Sequence, residues 1–226
     1  HAERGHSAFL PWDLSNYYEH VSWDKLWSRC QELNFPLVVA AVSLNQYAGR
    51  RFIGLGNITL DAQHAAKGIS AGCGLATTYV QVYAIPPMRL WQHQHPCVGL
   101  NMFIDDLGVE NQSKSEKQVV SRIVEAAANL RVAIDFDLDC TVADHKSVLL
   151  ASSDPLLEKL KSAFGKYGGS AEQSAANLGV DIFPGRRRQA RASTRTLQRR
   201  AGKYRRRCRR LHALKRAGMN MKSLYI

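Results

Sequence analysis

Between Ser7 and Asp13 the chain reads Ser-Ala-Phe-Leu-Pro-Trp-Asp, a short apolar run that predicts a strand delivering Asp13 at its C-terminal end. Leu14 to Glu19 predicts a turn into helix, and Val21, Trp23, Leu26, Trp27 and Cys30 then recur at helical spacing. Ser22 fits the N-cap of that helix, with Asp24 in the first turn where a carboxylate meets the positive end of the helix dipole. Pro36 opens a second predicted helix through Val38, Val39, Ala41 and Val42, closed near Gly49. Arg50 to Ile53 and Asn57 to Leu60 predict two short strands around Gly54 and Gly56.

Lys67 to Thr77 carries Gly68, Gly72 and Gly74, a cluster that suits a sharp loop or a close approach of backbone to another surface. The apolar run from Leu75 to Ile85 predicts a packed helix that ends at Pro86-Pro87. Short apolar runs on either side of Asp105-Asp106 predict a hairpin with the two acids at its tip. From Ser115 to Val132, a face of Val119, Val120, Ile123, Val124, Ala127 and Leu130 predicts an amphipathic helix. Asp135 to Asp144 is polar and acidic, and Lys146 to Ala151 reads as a buried strand led by a basic residue. Pro155, after Asp154, starts another helix through Leu156, Leu157, Leu160 and Phe164. Gly165 to Gln173 reads as loop and Asn177 to Phe183 as a last short strand.

Charge changes this picture at one end. The net charge of +12 is unevenly spread, because residues 182–226 hold 16 Lys and Arg and no acidic residue. Arg186, Arg187, Arg188, Arg199, Arg200, Arg205, Arg206 and Arg207 alternate there with Leu197, Tyr204, Leu211 and Leu214. That pattern predicts a basic, mostly helical arm making phosphate contacts with nucleic acid; a solvated charged tail or an import signal is the plainer reading. The body before it is slightly acidic. Three segments follow: residues 1–152 as the folded body, 153–184 as a connection, and 185–226 as the Arg-rich arm.

Cys30, Cys73, Cys97, Cys140 and Cys208 are scattered without paired spacing, which predicts reduced thiols and an intracellular location, nuclear or cytoplasmic. The longest apolar run, Pro36 to Leu44, is far short of a bilayer span, so no membrane is expected. His93, His95 and Cys97 invite a zinc reading, yet no second ligand pair stands at a suitable spacing, and a polar loop explains them more simply.

The order strand, helices, glycine loop and helix, acidic hairpin, helix, strand approximates a split βαβ plan, an α+β fold with an antiparallel sheet and helices on one face. Such a sheet brings Asp13 to the Asp105-Asp106 tip. Converging carboxylates need a cation, and a hard one such as Mg²⁺ suits them. Taken alone, the acid pair reads more simply as a solvated turn.

These residues resemble the palm of reverse transcriptases, closest to those of non-LTR retrotransposons. Asp13-Leu14-Ser15-Asn16-Tyr17-Tyr18-Glu19-His20-Val21 looks like the family's first catalytic motif. Gly68 to Thr77 is similar to its glycine-rich second motif, and Phe103-Ile104-Asp105-Asp106 to its Tyr/Phe-x-Asp-Asp third. The helix and Lys146-Ser147 resemble the fourth, and Asn177-Leu178-Gly179 the turn after the palm. The resemblance implies an RNA-directed DNA polymerase: a primer 3′-hydroxyl attacks a dNTP on an RNA template, assisted by two Mg²⁺ ions, or Mn²⁺ in their place. Asp13 and Asp105 would ligate both metals with Asp106 in support, and the Leu14 carbonyl would complete one site.

By the same resemblance Tyr18 would exclude a 2′-hydroxyl, Gly72 would let the backbone pass close to the template–nucleotide pair, and Lys146 would protonate the leaving pyrophosphate. Outside the motif, Tyr18 is a core aromatic and Lys146 a strand-end lysine. Asn16, Tyr17 and Glu19 stand where the family has Lys, a small residue and Asp; Ala71 stands for Gln and Ala76-Thr77 for Ser-Pro. The chain begins almost at the first motif, so the expectation is a partial protein lacking the fingers and poorly active alone. Two other readings stand beside this one. A degenerate palm could be retained to bind RNA, DNA or their hybrid, and an RNA-templated RNA polymerase would share the metal acids, though a bulky Tyr18 argues against it.

Overall fold

In the computed structural model, residues 5–52, 54–172, 175–177, 180–182, 202–206, 208–209 and 216 are described. The predicted first strand is present as β1 (His6–Ser15). Its alternation is clean: Ala8, Leu10, Trp12 and Leu14 enter the main core, whereas Phe9 joins a small separate cluster with Leu150. Asp13 therefore shares the Phe9 face. Two residues of β1 pair with β7 (Val148–Ala151) and two with β6 (Thr141–Val142). Pro11 falls between those pairings, where β1 has no ladder partner on that side, so its missing N–H costs no sheet bond.

The hairpin β4 (Gly99–Phe103) and β5 (Asp106–Ser113) lies on the other side of β1. The sheet runs β4-β5-β1-β7-β8, with β8 (Ser170–Ala171) at the far edge and β6 also on β1. All its pairs are antiparallel except β7 with β8, so the expected mixed fold with an antiparallel sheet against helices is what forms.

The predicted helices appear, with the predicted cap at Ser22 in place. After the single turn α1 (Tyr17–His20), α2 (Trp23–Glu32) starts at Ser22, whose hydroxyl accepts from the Lys25 amide at 3.4 Å. α3 (Leu37–Ala48) lies between Pro36 and Gly49. α5 (Glu116–Asp137) starts at Ser115, which accepts from Gln118 N, and α6 (Asp154–Phe164) carries its proline in the first turn. α5 (Glu116–Asp137) outruns its predicted end at Val132, because Ile134 adds another buried residue to the apolar face and extends the helix into the acidic stretch.

Further expectations are corrected. The short strands are β2 (Gly54–Leu55) and β3 (Ile58–Thr59), a tight hairpin turning at Gly56, which takes a φ of 60°; Arg51 instead bridges Gln63. Residues 165–173 are not wholly loop, since a 3₁₀ turn at Gly165–Gly168 leads into β8. Most instructive, α4 (Ala76–Gln94) does not stop at Pro86-Pro87 but runs through both. Pro87 supplies no N–H to the Tyr83 carbonyl. Arg29 does so instead: its Nη1 donates to that carbonyl, its Nη2 to Asp137 O at 2.7 Å, and its guanidinium lies 4.3 Å from the Tyr83 ring centre. A side chain from α2 thus repairs the backbone of α4 and ties both to the end of α5.

The last predicted strand becomes β9 (Ala175–Asn177) paired with β10 (Val180–Ile182); Leu178, Gly179 and Phe183 lie outside the described residues. In the arm, residues 202–206 and 208–209 are helical, including Arg205 and Arg206. Arg186, Arg187, Arg188, Arg199, Arg200 and Arg207 lie outside the described residues.

Candidate active site

Asp13 reaches the end of β1 held on both sides. Its carbonyl accepts from Ala143 N at 2.8 Å, and the next amide, Leu14 N, donates to Asp105 O at 2.9 Å. In the β1–β5 register Asp13 lies directly opposite Asp106. Ninety-odd positions of chain separate the two acids, and an antiparallel pair puts them side by side on one face.

The turn between β4 and β5 consists of only Ile104 and Asp105, because Phe103 pairs with Asp106. Two-residue hairpin turns need a positive φ, normally supplied by Gly or Asn. Here Ile104 supplies it, at 59°. The other positive-φ residues that are not glycine, among those described, are Asn16, Asn34 and Asp139. A β-branched side chain in that region costs about 1–2 kcal/mol, and such strain collects where the surrounding structure fixes a functional turn. Sequence reasoning did not flag Ile104, although the lack of Gly or Asn in so tight a turn was a readable signal.

Electrostatics show that the acids crowd one another. The Asp106 carboxyl is pushed above the usual carboxylate range, first by burial and then by the charges of Asp105 and Asp13, with Lys146 partly offsetting them. Lys146 closes the group. It ends the short turn Asp144–Lys146, and its Nζ donates to Asp13 Oδ2 at 2.5 Å. That bond and the Asp13 charge raise the Lys146 pKa, with smaller help from Asp105 and Asp106. The predicted quartet of Asp13, Asp105, Asp106 and Lys146 is therefore gathered at one strand end.

The donor set can be compared with a hard cation. Carboxylate oxygens in a half-exposed position, mutually repelled, have the chemistry Mg²⁺ requires. Among the described residues, however, no three His, Cys, Asp or Glu side chains are drawn together closely enough to hold a metal as they stand. Lys146 is the cation that now compensates Asp13. The carboxylates match such an ion in donor type only.

The remaining predicted residues lie around this end. Tyr18 is half-buried against the core, and its carbonyl accepts from Ile69 N at 2.9 Å, so the glycine loop docks on the first motif. The docking depends on Gly68, whose φ is 91° and where a Cβ would lie 3.0 Å from Glu19 O. Trp23 Nε1 adds a bond to the Gly68 carbonyl at 2.7 Å. Gly72 is different: a Cβ there meets only Ser70 Oγ, at 4.0 Å, so the protein itself leaves that position open. His95 is buried on Trp91 and in contact with Asn129 Nδ2 at 3.1 Å, while Cys97 is exposed, an arrangement of packing rather than ligation. No spacing pointed to Arg131, which binds Asp144 at 2.7 Å and so anchors the turn that carries Lys146.

Adjacent acids on a hairpin tip, a third on the neighbouring strand and a basic turn beside them lie together on a sheet backed by helices, a fold similar to part of telomerase. The structure of telomerase from Candida tropicalis with the TWJ fragment of telomeric RNA matches at TM-score 0.51 and 12% identity, over 79% of this chain and 29% of that one. Apo telomerase from Candida tropicalis, truncated from its C-terminal domain, matches at TM-score 0.44 and 9% identity, over 79% of this chain and 34% of that one. The chain spans less than a third of the first telomerase chain. No family model and no curated protein matches the sequence. Likeness at this identity concerns the fold alone. Among the described residues, no helix is long and apolar enough to cross a membrane.

Proposed function

We propose that the chain is the palm of an RNA-directed DNA polymerase from a retroelement of the non-LTR type, acting in the nucleus or cytoplasm on an RNA template, a DNA primer and dNTPs. The observation that carries this reading is the meeting of Asp13, Asp106 and Lys146 at the strand end, with the Asp105 carbonyl locked to Leu14. Asp13 and Asp105, with the Leu14 carbonyl, would hold two Mg²⁺ ions, or Mn²⁺, with Asp106 in support. Those ions, when bound, would activate the primer 3′-hydroxyl and stabilise the leaving phosphate.

The chain's own residues do the rest. Asp106, whose carboxyl is pushed above the usual range first by burial and then by the Asp105 and Asp13 charges, takes up a proton more readily than an ordinary aspartate. Tyr18, fixed by the docked loop, presents its ring where a 2′-hydroxyl would clash. Gly72 leaves space for the template–nucleotide pair. Lys146 stays protonated beside Asp13 and, once freed, can hand a proton to the pyrophosphate oxygen. Arg186 to Arg207 would contact the phosphates of the RNA/DNA hybrid.

A second reading, a degenerate palm kept to bind nucleic acid, is favoured by one observation: Lys146 occupies the cation's place on Asp13. Mn²⁺ titration monitored by NMR separates them. The polymerase reading expects paramagnetic broadening of the Asp13, Asp105 and Asp106 amides, abolished by Asp13→Asn. It also expects Mg²⁺-dependent primer extension from a longer form of the chain carrying fingers, lost in Asp105→Ala, and none from residues 1–226 alone. Nucleic-acid binding with neither broadening nor extension would leave the binding module.

A further inference from the structure

The two edges of the main sheet are unlike. At one, β8 is two residues long, too short to invite further pairing. At the other, β4 offers five residues, Gly-Leu-Asn-Met-Phe, and among the described residues only β5 pairs with it. Open edges are normally guarded by a charge, a proline or a bulge. β4 carries no charged residue and no proline, and its register with β5 runs unbroken from Gly99 to Phe103.

The two-residue turn fixes which backbone groups face outward. Phe103 and Asp106 flank it as a hydrogen-bonded pair, so Asn101 with Gly108 and Gly99 with Glu110 are hydrogen-bonded pairs too. The amides and carbonyls of Leu100 and Met102 therefore point out from the edge. Their side chains and that of Ile104 line a groove of about 290 Å³, against Gln81, Ile85 and Arg89 of α4. Leu100, Met102 and Ile104 are only half-buried, so the groove lies open. On the opposite face of the same edge Phe103 is 53% exposed. Free backbone groups at strand spacing, with apolar surface on both faces, match an added strand.

Charge selects which strand. Among the described residues Arg89 is the one charged side chain lining the groove, and it is exposed. A second copy paired edge to edge would bring another Arg89 and no carboxylate. The chain's own basic arm is no better matched, since residues 182–226 contain no Asp or Glu. Arg89 lies toward the Gly99 end of β4, because Gln92, one turn later in α4, donates to Val98 O at 2.9 Å.

We infer that β4 receives an extended, antiparallel strand of a partner protein, with aliphatic side chains at alternate positions in the groove and a carboxylate near its C-terminal end on Arg89. This docking does not depend on the polymerase reading.

The probe is acetyl-Val-Thr-Val-Thr-Glu-Thr-amide, whose valines and glutamate share one face. Backbone amide hydrogen exchange reads Leu100 and Met102, with Asn101, already bonded to Gly108, as the internal reference. Both edge amides should exchange freely in the chain alone and slow at least about tenfold with the peptide, while the Asn101 amide changes far less. Methylating the backbone nitrogens of the second valine and the glutamate removes two sheet bonds and should weaken binding at least about fivefold. Lysine in place of the glutamate should weaken it at least about threefold, and Arg89→Glu should reverse that preference with the melting temperature unchanged. No slowing by the peptide, equal binding of the methylated peptide, or a preference that Arg89→Glu leaves unmoved would each overturn the assignment. So would edge amides already slow in the free chain at every concentration, which means the chain's own arm covers β4, or slowing as the chain is concentrated, which means a second copy does.

Discussion

Replacing Arg29 by Met tests how a helix survives two consecutive prolines. Arg29 is 9% exposed and joins α2 to the Tyr83 carbonyl of α4 and the end of α5. Its bond to the Tyr83 carbonyl is buried and charge-assisted, worth about 1.5–3 kcal/mol net. The bond to Asp137 O is partly exposed and adds about 0.5–1.5 kcal/mol, and the contact with the Tyr83 ring about 0.5–1 kcal/mol. Met fills most of the stem's volume, so little packing is lost. Arg29→Met should then cost about 3–5 kcal/mol, a large share of the roughly 5–15 kcal/mol that holds an ordinary domain together. The relief of removing a buried charge works against this sum, and a double-mutant cycle removes it. Pro87→Ala restores the backbone N–H that the helix would aim at Tyr83 O. In its presence Arg29→Met should cost about 1–3 kcal/mol less, because that carbonyl keeps a donor. Urea unfolding followed by tryptophan fluorescence and far-UV circular dichroism measures all four corners. A coupling below about 0.5 kcal/mol, the usual limit for independent sites, would refute the account of α4.

Other expectations concern the site and the arm. Gly68→Ala should cost at least about 2 kcal/mol, from left-handed strain and the Glu19 backbone, whereas Gly72→Ala should stay within about 0.5 kcal/mol in the same thermal melts; equal losses would sink the distinction. Asp106 has a raised pKa in the fold, so the folded chain holds that proton to higher pH than the unfolded one, and stability falls as pH rises from the unfolded carboxyl value, about 3.9, through the folded one. Asp106→Asn should therefore stabilise the metal-free protein at neutral pH, with the gain vanishing below the unfolded value; a gain independent of pH would contradict the cause assigned. Asp13→Asn should bring the Lys146 ammonium pKa down toward the ordinary lysine value in an NMR titration, and an unmoved titration would mean that the pair does not form in solution. Removing Arg205 and Arg206 together should flatten the slope of log K against log salt for single-stranded nucleic acid by about 1.4, and an unchanged slope would take those two residues off the phosphates.

Much of the chain was legible from local chemistry. Ser22 as a cap, Pro36 and Pro155 as openers and Gly49 as a stop each act within a few residues, so the helices they bound could be read directly. The acidic hairpin was legible too, because its apolar flanks and its acids are neighbours in sequence. Asp13, Asp105, Asp106 and Lys146 could be singled out by motif, yet no spacing contains the distance between them. Their meeting rests on the β1–β5 register, on the Leu14–Asp105 bond and on a turn that Arg131 holds through Asp144.

The failures have the same root. Pro86-Pro87 is a sound stop signal when only the local backbone is counted; it fails because the missing donor is replaced by Arg29, more than fifty residues earlier in the chain. Ile104 is a poor turn residue by propensity and sits there because the pairing of Phe103 with Asp106 leaves two residues to reverse the strand. The sequence by itself determined where the main helices begin, that β1 and the acidic hairpin form, and which side chains to test for chemistry, since capping, periodicity and turn preference are short-range. Only the tertiary structure decided where α4 ends, which acid faces which, and that a lysine stands on Asp13, because hydrogen bonds and charges act through space between residues the chain keeps far apart.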